Sequence, residues 1–308
     1  MERQTCDVIV IGAGSAAFEA AVAARKAGAE KVIMLEKAPE SEAGGNARYS
    51  GTGFRFVHEG ADEIREFLPD VSDAMFQTMQ INPYSAADFH ADLDLMSQGR
   101  MNKNLAEVLV AQSNRAVRWM KDVGIKWEPL KEHALVDGKR YFEKGIVIHV
   151  AGGGPGQLSQ WRQIAAGLGV EIRFDSPVCG IIGDMSRVEG VRVCGADRTY
   201  ELMAKSVIAC SGGFQANPEM RARYLSGATD FIKVRGTRHD TGEVTRWLLD
   251  IGANPSGQWQ SGHMSPIDGN APDYETPQHE DGLGNTQSRY DYTKGITVNA
   301  LGQRFFDE

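Results

Sequence analysis

An α/β fold is expected for this chain: a doubly wound, mostly parallel sheet with a β meander inserted into it. Three observations carry that expectation. An apolar, β-branched run at residues 7–12 passes straight into Gly12-Ala13-Gly14-Ser15-Ala16-Ala17. An alanine-rich helix and a second short strand follow, which completes a βαβ unit of about 30 residues. Between residues 170 and 210, four short β-rich runs separate two helical stretches.

The elements follow in chain order. Residues 7–12 (Asp-Val-Ile-Val-Ile-Gly) read as a parallel strand buried on both faces, because nothing polar alternates with the apolar residues. Phe18 to Ala27 reads as a helix, closed by Gly28 in the position of a C-terminal cap. Lys31-Val32-Ile33-Met34-Leu35 is the second strand and ends at Glu36. From Gly60 to Gly124 the spacing is helical. Ser85 can cap a helix with Phe89, Leu93 and Met96 on one side. Leu105, Val108, Leu109, Ala116, Trp119, Met120 and Val123 are expected to form the apolar face of another, ended by Gly124. Val170–Phe174, Val178–Ile182, Val188–Val193 and Ser206–Cys210 are short strands of the meander. A helix over residues 242–251 leads to Gly252. Beyond Gln258, Pro266, Pro272 and Pro277 among many Asp, Gly and Asn residues mark loops that open another domain.

Composition narrows the function. The 308 residues allow two domains at roughly 100–200 residues each, and 33 basic against 41 acidic residues leave a net charge of −8. Such a chain offers no broad basic face to nucleic acid or anionic lipid. No apolar run approaches the ~20 residues of a membrane span, and the N-terminus has no signal-peptide pattern. Cys6, Cys179, Cys194 and Cys210 include no Cys-x-x-Cys pair, so they are expected to be reduced thiols of a cytoplasmic protein. The 35 glycines cluster, at Gly12/Gly14, Gly44/Gly45, Gly51/Gly53, Gly152–Gly154 and Gly212/Gly213. Clustered glycine marks backbone that turns sharply or approaches a ligand closely.

Gly12-x-Gly14-x-x-Ala17, placed after a strand and before a helix, fits the dinucleotide fingerprint. The first glycine allows the tight turn, the second lets backbone reach a pyrophosphate, and Ala17 keeps helix and strand close. The phosphates then lie on the free N–H groups and positive dipole of the helix N-terminus. A tight turn with no ligand is the alternative for the glycines alone. Glu36 lies 24 residues beyond Gly12, where a carboxylate can accept both ribose hydroxyl protons and would repel a 2′-phosphate. Its alternative is an exposed acid at a strand end. None of the seven histidines pairs with another at metal-ligand spacing on a helix, so no metal site is expected.

The segments Gly12–Ala17, Glu36-Lys37, Gly44-Gly45-Asn46-Ala47-Arg48-Tyr49-Ser50-Gly51 and Val207–Phe214 resemble, in combination and in order, the FAD-binding domain of the fumarate reductase/succinate dehydrogenase flavoprotein family. Gly44–Arg55, Gly236–Glu243 and the stretch around His263 resemble its tricarballylate dehydrogenase branch most. The resemblance implies an FAD-binding domain over residues 1–258, incomplete at its C-terminal end, and the beginning of an α+β capping domain over 259–308. It implies that Gly12, Gly14, Ser15, Ala16, Ala17, Glu36 and Lys37 hold the cofactor, and that Gly44, Gly45, Asn46, Ser50 and Gly51 run along the pyrophosphate and flavin, with a surface turn as the alternative for Gly44-Gly45-Asn46. Ala209, Ser211, Gly212 and Gly213 would pass beside the cofactor, and the Val178 backbone would meet the adenine, with a plain core position as its alternative. Gly152-Gly153-Gly154 resembles a turn near the flavin, with a mobile hairpin end as its alternative. Thr241-Gly242-Glu243 resembles a turn near the active site, with an ordinary helix start capped by Thr241 as its alternative.

Covalent members of the family carry a histidine just before the Gly-Gly loop. Lys37 to Asn46 contains none, which implies non-covalent FAD. His263, in Ser261-Gly262-His263-Met264-Ser265-Pro266, resembles a histidine that contacts a substrate carboxylate, although the family places the proline directly after it. A structural histidine is the alternative. The implied reaction is hydride transfer between flavin N5 and a carbon beside a carboxylate, as in oxidation of a tricarballylate-like acid, with a separate electron-transfer partner. Fumarate reduction is the other direction. Val298–Glu308 resembles the family stretch that precedes a catalytic arginine, which implies a truncated chain that binds FAD without turnover.

Overall fold

The structure is a computed structural model that describes residues 2–131, 133–196, 198–225, 229–260, 262–275 and 289–305. In chain order the elements are β1 (Glu2–Ile11), α1 (Ser15–Lys26), β2 (Val32–Leu35), β3 (Gly53–Arg55), α2 (Ala61–Phe67), α3 (Asp73–Phe76), β4 (Met79–Gln80), α4 (Ala86–Ser97) and α5 (Lys103–Asp122). They continue with β5 (Trp127–Pro129), β6 (Ala134–Val136), β7 (Lys139–Tyr141), β8 (Ile146–Val150), α6 (Gly153–Gly167), β9 (Glu171–Arg173), β10 (Val178–Gly183), β11 (Val188–Cys194), β12 (Thr199–Ala209), α7 (Pro218–Tyr224) and α8 (Glu243–Asp250). Two compact units result. One comprises residues 1–49 and 169–308, the other residues 50–168. The sequence-based boundary at 258/259 falls inside the first.

The first unit holds a six-stranded sheet in the order β10-β11-β12-β1-β2-β9. The pairs β12–β1, β1–β2 and β2–β9 are parallel, whereas β10–β11 and β11–β12 are antiparallel. The expected meander is therefore continuous with the main sheet. The long strand β12 pairs with β11 along its first half and with β1 along its whole length, and β9 is the far edge, beside β2.

Alternation along these strands divides the core. Ile9, Ile11, Ile33 and Leu35 cluster with Val191, Val193, Tyr200, Leu202 and Val244 of α8. Val10, Val32 and Met34 point to the opposite face and are fully buried. Helix α1 packs against β1 and β2 with Ala17, Phe18, Ala21 and Val22 buried, and Gly28, at φ +99°, turns the chain beyond its end. Burying each large apolar side chain contributes about 1.5–3 kcal/mol.

Expectations are corrected in this unit and in the next. Cys179 and Cys194 are joined in a disulfide between β10 and β11, with Cα atoms 5.9 Å apart, so only Cys6 and Cys210 are free thiols. Antiparallel pairing of Val178 with Val193 brings the two sulfurs together, which no local Cys spacing could signal. The inference from reduced thiols to a cytoplasmic setting thus loses two of its four cysteines.

The second unit contains two three-stranded sheets, β3-β8-β5 and β4-β7-β6, together with α2 to α6. Helix α4 starts as expected: Ser85 accepts from the Asp88 N–H, and Asp88 returns a bond to the Ser85 backbone, a capping box. Phe89 is buried and Met96 is exposed. Helix α5 buries Ala106, Val110, Ser113, Val117 and Met120, whereas Leu105, Val108 and Leu109 are exposed. The expected face was displaced because its central member is a serine. Ser113 faces inward since its hydroxyl accepts the Val57 N–H at 3.1 Å and donates to the Val110 carbonyl at 2.9 Å.

Among the described residues, no helix is long and apolar enough to cross a membrane.

Candidate cofactor site

Three parallel strands end level with one another. Ile11 pairs with Ala209 on one side and with Leu35 on the other, so Gly12, Glu36 and Cys210 share one edge of the sheet. Gly12 N–H donates to the Leu35 carbonyl (2.8 Å), and Cys210 N–H donates to the Ile11 carbonyl (2.9 Å). Gly12 has φ +112°, and a Cβ there would stand 2.4 Å from the Cys210 carbonyl oxygen. The turn admits only glycine. Gly14 caps α1 without any side-chain hydrogen bond, and the first helical turn carries no acidic residue. The N-terminus that opens at Ser15 and Ala16 is thus placed to receive an anion, while the Ala17 N–H donates to the Gly14 carbonyl at 3.1 Å. A Cβ on Gly14 would touch the Gly44 carbonyl at 3.5 Å, which places the Gly44-Gly45-Asn46 loop directly beside the fingerprint turn.

Glu36 is buried rather than exposed. Its two oxygens accept from the N–H groups of Ala13 (2.9 Å) and Ala38 (2.8 Å). A carboxylate has about four lone-pair sites, so each oxygen keeps one for a ribose hydroxyl. The Glu36 carbonyl accepts the Ser176 N–H at 2.8 Å, which brings Val178, two residues later, to the same end of the site. Val178 itself is half-buried against the core.

Lys37 turns to the far side of this group. Its Nζ bonds the Thr241 hydroxyl and reaches Glu243 Oε2 at 3.2 Å. Burial pushes the Glu243 carboxyl upward, but the hydrogen bond from Thr241, its own N–H and the Lys37 charge outweigh this and hold its pKa below the usual value. Thr241 is not the helix cap. Gly242, at φ +78°, starts α8, and the Thr241 side chain is spent on Glu243 and Lys37. Asn46 Oδ1 accepts the Thr237 N–H (2.9 Å), and the His239 ring lies 2.8 Å from Glu42. The segment 236–243 is therefore laced to residues 36–46. Glu42 is held below the ordinary carboxylate range by the His239 hydrogen bond, with Arg238 adding its charge at 3.6 Å.

At the end of β12, Ala209 and Gly212 are open to solvent, and Ser211 and Gly213 are half-buried. Burial raises the Cys210 thiol pKa, helped by the Glu19 carboxylate, so this thiol stays protonated beside the site. His263 is exposed. Its segment is anchored to the same turn by Trp259, which stacks on Phe214 at 6.0 Å and meets Tyr224 edge-on at 4.9 Å. Ser50 and Gly51 open the second unit. There the Ser50 carbonyl accepts the Gly154 N–H at 3.0 Å, so two of the expected flavin-side segments adjoin. Among the described residues no group of three His, Cys, Asp or Glu side chains forms a metal cluster.

Sequence reasoning missed Asp240, which is buried against Gly212, and its partner Gln215. The only signal was the position of Asp240 directly before the Thr241-Gly242 turn. Bare glycine turns, an uncapped helix start and a buried carboxylate at the end of the neighbouring strand together fit the diphosphate and ribose of an adenine dinucleotide.

The family model described as FAD binding domain matches residues 7–254. The chain belongs to that family. The chain is 30% identical over 274 residues to a probable fumarate reductase of Shewanella frigidimarina, covering 84% of this chain and 41% of that protein. It is 27% identical to a urocanate reductase of Eggerthella lenta, covering 80% and 38%. The open conformation of a flavocytochrome c3 fumarate reductase superposes with a TM-score of 0.65 at 28% identity, covering 82% of this chain and 41% of that one. A 3-ketosteroid-Δ4-(5α)-dehydrogenase of Rhodococcus jostii, 19% identical with a TM-score of 0.61, shares the fold. This FAD-binding chain spans about two fifths of the length of the first of these relatives.

Proposed function

We propose that this chain is the FAD-binding part of an oxidoreductase that acts on a small di- or tricarboxylate, with tricarballylate-like acids as the first candidates. The observation that carries the reading is the level edge of β1, β2 and β12, with Gly12, the α1 N-terminus and Glu36 gathered on it, in a chain of the FAD-binding family. When bound, FAD supplies hydride exchange at N5 with a carbon beside a carboxylate.

The chain's own residues bind and orient. Glu36 holds the adenosine ribose, Ser15 and Ala16 receive the diphosphate, and Ala17 keeps the helix close to the strand beneath it. Gly44, Gly45, Asn46, Gly212 and Gly213 let backbone lie close to the cofactor, and Val178 meets the adenine. Lys37 acts through Thr241 and Glu243, positioning the 236–243 segment. Ser50 and Gly51 continue the Gly44-Gly45-Asn46 stretch along the flavin. No histidine between Lys37 and Asn46 is placed to attach the flavin, which supports non-covalent binding. His263 binds a substrate carboxylate, and residues 259–308 open the capping segment that carries it. A separate protein supplies or removes electrons. The fumarate-reducing direction is the second reading, favoured by the similarity to a probable fumarate reductase and to the flavocytochrome c3 enzyme.

The test uses the protein expressed from its complete reading frame and reconstituted with FAD. Di- and tricarboxylates are offered with a dye acceptor, and their unsaturated counterparts with a dye donor. Turnover confined to carboxylates supports the reading, and its direction separates the two versions. His263→Ala is expected to raise KM with little change in kcat, since a group used equally in ground and transition states affects binding alone. Unaltered kinetics in that variant return His263 to a structural role.

A further inference from the structure

Asp240 is a buried carboxylic acid at the junction of the two glycine turns that flank the cofactor site. Its exposure is 6%, although it lies in a loop. Oδ2 accepts from Gln215 Nε2 at 2.6 Å, and the Asp240 backbone carbonyl accepts the Ala216 N–H at 2.9 Å. Oδ1 fills the space where Gly212 lacks a side chain. A Cβ on Gly212 would stand 2.6 Å from that oxygen, and one on Gly45 would stand 4.0 Å from it. One carboxyl oxygen therefore touches the turn after β12 and also borders the turn after β2.

No cation bonds this carboxyl among the described residues. The neighbouring charges are committed elsewhere: Lys37 to Thr241 and Glu243, His239 to Glu42, and Glu36 to the N–H groups of Ala13 and Ala38. Burial lifts the Asp240 pKa to about 6 against the opposing pull of Gln215 and Lys37, and the Glu36 charge adds to the rise. A dianionic diphosphate laid along the Gly12, Gly44-Gly45 and Gly212-Gly213 backbone brings more negative charge to this desolvated corner. Like charge disfavours the ionised carboxylate.

We propose that Asp240 takes up a proton when FAD binds, so that a neutral carboxyl closes the site and cofactor affinity is linked to pH. The proposal rests on the FAD reading of the site. The protonated acid has an O–H to donate to an oxygen of the cofactor, while its carbonyl oxygen keeps the Gln215 bond. No covalent bond changes. The proton comes from solvent and returns there when FAD leaves.

Calorimetric titration of the apoprotein with FAD, in buffers of different ionisation enthalpy, counts the protons exchanged. At pH 7 the wild-type protein is expected to take up most of one proton, and its FAD affinity is expected to fall about tenfold from pH 6 to pH 8. Asp240→Asn preserves shape and the Gln215 contact, so it is expected to bind FAD with no proton uptake and with affinity flat over that range. His239→Gln, the control for the nearby imidazole, is expected to keep the uptake. A protonated-carboxyl C=O band should appear in the infrared difference spectrum when FAD is added to the wild-type protein, a measurement that needs no variant. FAD binding without proton uptake, or uptake unchanged in Asp240→Asn, overturns the proposal and leaves the FAD site standing. Absence of FAD binding in the wild-type protein overturns both.

Discussion

Replacing Gly12 by alanine tests the close approach of β1 to β12 on which the cofactor site is built. Two costs are expected, and a second glycine separates them. Gly12 has φ +112° and Gly28 has φ +99°, so an added methyl group meets similar backbone strain at either position, about 1–2 kcal/mol. At Gly28 a Cβ meets nothing within 4 Å, whereas at Gly12 it would stand 2.4 Å from the Cys210 oxygen and 3.0 Å from the Cys210 carbonyl carbon. Those are backbone atoms held by the Cys210 N–H bond to the Ile11 carbonyl, so they cannot swing away. Overpacking of that kind adds roughly 1–3 kcal/mol. Gly12→Ala is thus expected to be less stable than Gly28→Ala by about 1–3 kcal/mol, and to lose FAD binding, while Gly28→Ala keeps it. Urea unfolding of both apoproteins and fluorescence titration with FAD measure the two effects. Equal stability of the two variants would show that β1 and β12 do not approach as described, and the cofactor cradle would fall with that contact.

Four further outcomes are expected. Hydrogen bonds to a charged carboxylate contribute about 1.5–3 kcal/mol, so Glu36→Ala should weaken FAD roughly 10- to 100-fold in a titration of the apoprotein. FAD should also remain in the supernatant when the holoprotein is precipitated with acid. Reduction, or Cys194→Ser, opens the crosslink between residues 15 apart in sequence, and should lower the unfolding free energy by about 3 kcal/mol; an unchanged urea midpoint under reductant would mean that the two thiols are not joined. His58 is buried beside Phe56 and Tyr84, neither ring nitrogen has a hydrogen-bond partner among the described residues, and burial lowers its pKa. The unfolded chain therefore binds a proton that the folded chain refuses, and stability should fall as pH drops from about 6.5 toward the lower folded value. His58→Phe should flatten that slope, and a parallel slope in the variant would assign the acid sensitivity to another group.

The parts of the site legible in the sequence were those specified locally. A β-branched run, a glycine turn and an acid at the end of the next strand lie within 30 residues of one another, and the structure assembles them with short backbone bonds. Ser85 and Gly28 announced their helix ends for the same reason. What stayed hidden depends on distant partners. Asp240 meets Gln215, 25 residues away, and Gly45, which no pattern around His239 and Thr241 encodes. Cys179 and Cys194 become neighbours only through strand pairing. The α5 face was misread because inward Ser113 is polar and the apolar Leu105, Val108 and Leu109 face outward, so hydropathy there reports neither side correctly. Lys37 follows Glu36 in sequence yet serves a different segment, since successive residues after a strand point in opposite directions.

The two outermost strands of the six-stranded sheet bear on how this protein behaves in concentrated solution. An exposed strand edge is a row of unpaired donors and acceptors that can recruit a second chain. Here one border, β9, is three residues long. The other, β10, breaks register with β11 between Val178 and Gly180 and again between Ile182 and Gly183, and its Cys179 is tied to Cys194. Bulges bend and twist a strand away from straight pairing, and the crosslink keeps β10 from peeling off to pair elsewhere. Neither border presents a long, flat template, so the sheet that carries the cofactor turns is protected against growing into an edge-to-edge aggregate.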